Sequence, residues 1–476
     1  LLPTEAGALE PEVEGVERTW NFRQEAVVEA VDLAASRKAF DLELPHLGPY
    51  HVAYTRNGKH MLMAGSKGHL AMVEWQHAHL VAELQAHELT RDVVALHNED
   101  FFAAAQKKYV YIYDKRGLEV HCLRSHVEVC KLEFLPYHFL LVSGSKTGMI
   151  RFQDTSTGEV VAQHRTKLGR VGAMRQNPAN AVTCCGHYNG TVTMWAPNMG
   201  TPLVKMLCHR GGVRALAVAP DGNHMVTAGA DAQVRVWDLR TYKEVHSYFS
   251  AAPASCLDIS QKGLLAVSWN SRVQIWKDAL EAKASAPYMN HSFEGRVVES
   301  MRFCPYDDVL GVGHSAGVSS LLVPGAGEPN YDSFVVDPYE TKKARREREV
   351  RGLLDKLRPE MITLERNVVG KVRRAPEEIQ LQRREAALQA ELSARKEGRE
   401  KGESRKKMKG KNKPSKRYRK RQQNVVDDKR LAREKQAEIN RLKGLEGPRA
   451  ALEARGGVVA ADVPKALQKL YAKKKV

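Results

Sequence analysis

Between residues 38 and 325 the apolar positions recur as one unit. Each unit is a turn with Gly or Asn, then a short alternating strand that ends on an aromatic or large apolar residue. The unit reads GSKGHLAMVEW, AAQKKYVYIYD, GSKTGMIRFQD, GHYNGTVTMWA, GADAQVRVWD, SWNSRVQIWKD and GHSAGVSSLLV. Its end anchors are Trp75, Tyr113, Phe152, Trp195, Trp237, Trp276 and Leu322, at spacings of 38, 39, 43, 42, 39 and 46 residues. A strand precedes each unit: YHVAYT, DVVALH, VCKLEF, RVGAMR, VRALAV, SCLDIS and VVESMRF. Most are followed by a turn such as Arg56-Asn57-Gly58 or Pro220-Asp221-Gly222, and then by an apolar run such as HMLMAG or HFLLVSG.

Seven units at that period read as seven four-stranded blades of a WD-repeat propeller. The fold class expected is therefore all-β, a seven-bladed ring over 38–325. A ring leaves no exposed sheet edge, and closing it takes a strand from the far end of the chain. Ala39-Phe40-Asp41-Leu42-Glu43-Leu44 alternates correctly and is assigned as the outer strand of the seventh blade. Residues 1–37 form an extension with a short helix. Only one blade keeps the full repeat signature, His209, Thr227, Asp231 and Trp237 followed by Asp238. His209 and Asp231 would suit a catalytic pair, but their spacing fits the buried hydrogen-bonded chain that locks a blade's turns.

Beyond the ring the pattern changes. Residues 326–360 read as a strap and a helix, the strap being Asn330–Tyr339 and the helix Glu340–Leu357 with periodic Val350, Leu353, Leu354 and Leu357. Pro359 ends that helix. Residues 361–476 read as a basic tail, part helical and part disordered, with helical patterns from Pro376 to about Lys396, Asp427 to Leu442 and from Pro464. Their apolar faces are too narrow to build a core, so they order only against partners. In Lys401–Arg421 twelve of 21 residues are Lys or Arg against one Glu, with Gly and Pro breaking any helix. Such a segment serves as a nuclear import signal. It also suits RNA: Lys406, Lys407, Lys409, Lys411, Lys413, Lys416, Arg417, Arg419, Lys420 and Arg421 can hold phosphates, and Tyr418 can stack on a base.

Charge sharpens this division. Residues 341–476 carry 42 of the 74 Lys and Arg and 19 of the 56 Asp and Glu, a net of +23 that leaves −5 for the first 340. On that count, all attraction for a polyanion lies in the tail. Seven scattered cysteines without a Cys-x-x-Cys pair fit a reducing intracellular compartment and exclude a zinc ribbon. No apolar run reaches the roughly 18 residues of a membrane helix. The chain starts at Leu1 with neither Met nor a signal pattern, as a fragment would. No P-loop occurs; Gly311, Gly313 and Gly317 miss the dinucleotide spacing, and the serine of Gly144–Gly148 is misplaced for a nucleophile elbow. His77 and His79 share a strand face but lack a third ligand, and adjacent Cys184 and Cys185 point to opposite faces. The expectation is no catalysis, no cofactor, no metal, no membrane and no small-molecule substrate.

Two stretches carry a family resemblance. GPYHVAYTRNG from Gly48, running into Gly65-Ser66-Lys67-Gly68-His69, resembles the opening of one WD-repeat family. PNYDSFVVDPYETKKARREREVRGLLDKLRPEMITL, with Tyr331, Phe334, Pro338 and Tyr339 in its motif, looks like that family's C-terminal domain. The family is the nucleolar WD-repeat subunit of the small-subunit processome, and the match runs from about Glu17 onward. The resemblance implies a scaffold in nucleus and nucleolus needed for processing of pre-18S ribosomal RNA. Its implied partners are the precursor RNA and/or U3 snoRNA, and other processome proteins including WD-repeat subunits. The alternative is a chromatin or ubiquitin-ligase adaptor whose propeller reads a peptide and whose tail only directs import.

Overall fold

The structure, a computed structural model, describes residues 7–10, 17–330, 337, 340–364, 415, 418, 419, 421 and 432–437. The chain divides into two units, 1–366 and 367–476. In the second, residues 415, 418, 419, 421 and 432–437 are helical and exposed.

The first unit is a seven-bladed propeller in which each blade is a four-stranded antiparallel sheet. The innermost strands of blades 1 to 7 are Tyr50–Tyr54, Asp92–Ala95, Val129–Leu135, Val171–Gln176, Val213–Val218, Cys256–Ile259 and Val298–Phe303, and each touches the next around the ring. Blade 7 takes its outer strand, Asp41–Glu43, from the start of the chain, paired antiparallel with Gly317–Leu322. That is the closure expected for residues 39–44, and it gives blade 7 four strands like the other six.

Sandwiching explains the strand composition. Second and third strands lie between neighbouring blades, so both faces are buried and the sequence reads as a continuous apolar run, as in His60–Gly65 and Leu140–Ser145. Outer strands face water, and Lys243–Phe249 is polar accordingly. Six anchors, Trp75, Tyr113, Phe152, Trp195, Trp237 and Leu322, are buried between blades, whereas Trp276 is half-buried.

The N-terminal extension carries α1 (Gln24–Ala30) and α2 (Leu33–Ser36). It packs on blade 7 through buried Val27, and Gln24 Nε2 donates to Leu322 O at 3.3 Å. At the other end the chain stays packed past residue 325: Ala326 is buried, and the Gly327 N–H donates to Asp308 Oδ1 at 2.7 Å. Then α3 (Lys342–Leu354) starts on a Thr341 cap, whose hydroxyl accepts from the Ala344 N–H at 3.3 Å.

Candidate functional site

Three features of the propeller bear on function: the locks inside the blades, the channel at the centre, and the C-terminal segment docked on one face.

Blade 5 holds the chain of bonds centred on His209. The Trp237 indole N–H can only donate, and it reaches Thr227 Oγ1 at 3.0 Å. The Thr227 hydroxyl is then left to donate to His209 Nε2 at 2.8 Å, and His209 Nδ1–H donates to Asp231 at 3.0 Å. Bonds in that order suit the neutral imidazole. Burial depresses its pKa, and Asp231 offsets this only in part. His209 is fully enclosed, so this arrangement holds turns together and presents no reactive group to solvent.

Four further blades carry a histidine-centred bond without the standard signature. His126 pairs with Ser143 (2.6 Å) in blade 3, and His187 with Thr193 (2.7 Å), which also accepts from Trp195, in blade 4. In blade 7 His314 pairs with Ser319, whose hydroxyl donates to Asp41 of the closing strand at 2.6 Å. In blade 1 His69 bridges Tyr50 and Glu83. The permuted order of residues hid these from sequence reading. Burial holds His126 and His187 at about 4.

An ion-pair belt crosses the channel. Glu133 accepts from Arg175 at 3.0 Å and from Arg302 at 3.3 Å, and Arg302 lies 3.7 Å from Asp258. Burial pushes the Asp258 carboxyl up despite Arg302 and Arg175. Asp258 also accepts the Phe303 N–H at 2.7 Å, and Asp92 the Leu132 N–H at 2.9 Å, stitching inner strands of adjacent blades. Above the belt one mouth opens into a cavity of about 470 Å³ rimmed by Pro136, Pro178, Pro220 and Pro305. No sequence motif announced the belt, because its members lie on four strands far apart in the chain.

The C-terminal segment docks on the face that holds this mouth. Arg345 reaches Glu99 at 2.8 Å and Asn98 at 3.3 Å, and Glu349 lies 3.4 Å from His97. Further on, Lys356 pairs with Asp154 and Ser156, and the Leu357 N–H donates to Tyr137 O at 3.0 Å. Burial raises the Asp154 carboxyl, but Lys356 and Ser156 outweigh it and hold it below the usual range. Asn198 Nδ2 then donates to Glu360 O at 2.7 Å, and Ile362, 1% exposed, enters the core beside Trp195 and Trp237. The expected helix Glu340–Leu357 is thus shorter, and its apolar residues do not dock. Val350, Leu353, Leu354 and Leu357 are exposed, because the acidic loop 97–100 holds the helix by its polar side.

The remaining expected residues fall as follows. Tyr331, Phe334, Pro338 and Tyr339 lie outside the described residues, as do Lys406, Lys407, Lys409, Lys411, Lys413, Lys416, Arg417 and Lys420. Tyr418, Arg419 and Arg421 are helical and exposed, which corrects the expectation of a segment without helix. Cys184 and Cys185 are both buried and free, and His79 is exposed. Among the described residues no three candidate ligands converge as a metal site, and no helix is long and apolar enough to cross a membrane.

A model of the WD domain, G-beta repeat, matches residues 200–238, which include the His209 chain. A model of the BING4CT (NUC141) domain matches residues 287–365. That stretch joins blade 7 to the docked segment and stops one residue past Leu364, the last described residue of that segment. Over 456 residues the chain is 43% identical to U3 small nucleolar RNA-associated protein 7 of Saccharomyces cerevisiae, covering 92% of this chain and 82% of the relative. The chain belongs to that protein's family. It is also 44% identical over 382 residues to WD repeat-containing protein 46 of Caenorhabditis elegans, covering 80% and 66%. Against the human protein of that name it is 45% identical over 378 residues, covering 78% of this chain and 61% of the relative. The family is one of WD-repeat propellers named for U3 association, and not of enzymes.

Proposed function

We propose that this protein is a scaffold of U3-linked ribosome biogenesis, acting in the nucleolus on processing of pre-18S ribosomal RNA. The observation that carries this is the 43% identity with a U3 small nucleolar RNA-associated protein, which extends over 92% of the chain and so takes in the tail as well as the ring. The propeller supplies a rigid body, locked within blades by the histidine chains and across blades by the channel belt. Its faces dock neighbouring proteins of the particle, other WD-repeat subunits among them. The basic segment Lys401–Arg421 holds precursor RNA or U3 snoRNA by phosphates, with Tyr418, 66% exposed, as a stacking face.

Salt dependence tests the RNA interaction. If six to ten of the twelve cations in Lys401–Arg421 hold phosphates, affinity falls roughly 10³- to 10⁵-fold between about 50 and 200 mM salt by the duplex estimate, and less steeply for single strands. In the full chain, replacing Lys406, Lys407, Lys409, Lys411 and Lys413 with Gln should weaken binding and flatten the slope together. Unchanged affinity and slope would leave the segment as an import signal and favour the peptide-reading adaptor.

A further inference from the structure

The two ends of the blades differ in charge, and the net −5 of the first 340 residues conceals it. Antiparallel blades put the turns between second and third strands, and the links from blade to blade, at one end. The other turns lie at the opposite end, where the C-terminal segment docks. Over blades 2 to 4 and the link into blade 5, the first end comprises loops 105–110, 123–129, 145–149, 165–171, 187–191 and 207–214. They hold nine Lys or Arg against one acid, Glu128, and all nine cations are exposed. The ion pairs of these blades, such as Lys115–Asp100 and Arg175–Glu133, involve other residues. At the opposite end of the same blades, loops 96–100, 114–118, 135–139, 154–159, 176–182 and 195–203 hold five acids and two cations. Three of those acids, Glu99, Asp100 and Asp154, already face Arg345 and Lys356. One end is thus neutralised in part by the chain's own C-terminal segment, and the other keeps a basic arc that, among the described residues, has Glu128 as its one acid.

An aromatic ring stands within the arc. Tyr188, 81% exposed, caps the turn of blade 4, and a Cβ at Gly212 would lie 3.3 Å from its Cδ2. The ring therefore lies against the link that carries Arg210 and Arg214. Cations that track a backbone around an open aromatic face are the elements of a single-strand platform: phosphates take the charge and a base takes the ring. An acidic peptide would meet the charge but would leave the ring unused.

We infer that this end of blades 2 to 5 is a second RNA-binding surface, holding single-stranded RNA by its phosphates and stacking a base on Tyr188. It extends the proposed RNA role from the tail to the propeller and stands on different residues.

The test is a salt titration of the full chain binding a single-stranded RNA of about 16 nucleotides. One variant combines Lys107→Gln, Arg124→Gln, Lys146→Gln, Arg170→Gln and Arg210→Gln; a second is Tyr188→Ala; a third neutralises the five tail lysines. All altered side chains of the first two are exposed, so an unchanged far-UV spectrum is expected and checked. The five-fold variant should flatten the slope of log affinity on log salt by about 0.7 for each phosphate no longer held, up to about 3.5. Tyr188→Ala should weaken binding roughly 5- to 150-fold with the slope unchanged. Parental binding by both face variants beside a loss in the tail variant would overturn the inference and leave the tail reading standing. Loss in the face variants with a parental tail variant would support it and sink the tail reading instead. Polyglutamate serves as the competing probe. If its binding fell with the five-fold variant as far as that of RNA, and Tyr188→Ala changed neither, the surface would belong to an acidic protein and the RNA assignment would be wrong.

Discussion

Replacing Trp237 tests the lock inside blade 5 in two steps. The side chain is 7% exposed and fills the space between blades 4 and 5, while its N–H ends the chain of bonds through Thr227 and His209 to Asp231. Trp237→Ala removes the ring and should cost about 3–5 kcal/mol, the range for a large buried aromatic. Trp237→Phe keeps part of the ring area and removes the donor, so it should cost the hydrogen bond, about 1 kcal/mol, on top of the packing lost with the smaller ring. Thr227→Val should cost more than the Phe variant. Thr227 is fully buried, and its removal strands both the indole N–H and His209 Nε2, at about 1–3 kcal/mol for each unpaired group. In the Thr227→Val background, Trp237→Phe should then cost less by about that hydrogen bond, because the bond it breaks is already gone and only the packing loss remains. Urea unfolding of the four proteins, followed by far-UV circular dichroism, gives these differences. A loss below about 1 kcal/mol for Trp237→Ala, or equal costs for Trp237→Phe in both backgrounds, would refute the lock.

Acid should weaken the ring before carboxylates titrate. His126 and His187 are held at about 4 in the folded state against about 6.5 unfolded, so above pH 6.5 neither state is charged and stability is unaffected. As pH falls through 6.5 only the unfolded chain takes the protons, and stability should drop by about 2 kcal/mol per histidine at pH 5, read as a fall in urea midpoint; a flat profile from pH 7 to 5 would contradict this. Glu133→Ala should cost about 3 kcal/mol by leaving Arg175 and Arg302 without their shared partner in the channel, whereas a neutral effect in the same assay would mean water already compensates the belt. Ile362→Asp should release the docked segment, seen as faster hydrogen exchange over 355–364 with the blades unaffected, and equal protection would place its anchorage elsewhere.

Seven blades were legible because each depends on a local cue, an aromatic or apolar anchor after a tight turn, that recurs at a nearly fixed period. The closing strand was legible for the same reason, since Asp41–Glu43 alternates and sits just ahead of the first blade. Long-range pairings were not. Glu133 meets Arg302 across 169 residues and Lys356 meets Asp154 across 202, and no pattern within one segment encodes either. The helix at 342–354 was visible from its periodicity, but the side by which it docks was not. Apolar spacing predicts burial only where another element covers that stripe, and here Arg345 and Glu349 turn the polar side inward. Net charge misled in a comparable way: a sum of −5 averages a basic arc at one end of blades 2 to 4 against acids at the other.

The scaffold role in U3-linked ribosome biogenesis stands or falls on crosslinking the full chain to RNA in cells, with sequencing of the bound RNA and mapping of the adducted residues. U3 snoRNA and the precursor of the small-subunit RNA should dominate the bound sequences, with adducts on Lys401–Arg421. Adducts absent from the whole chain, or spread over unrelated RNAs without enrichment of these two, would contradict it.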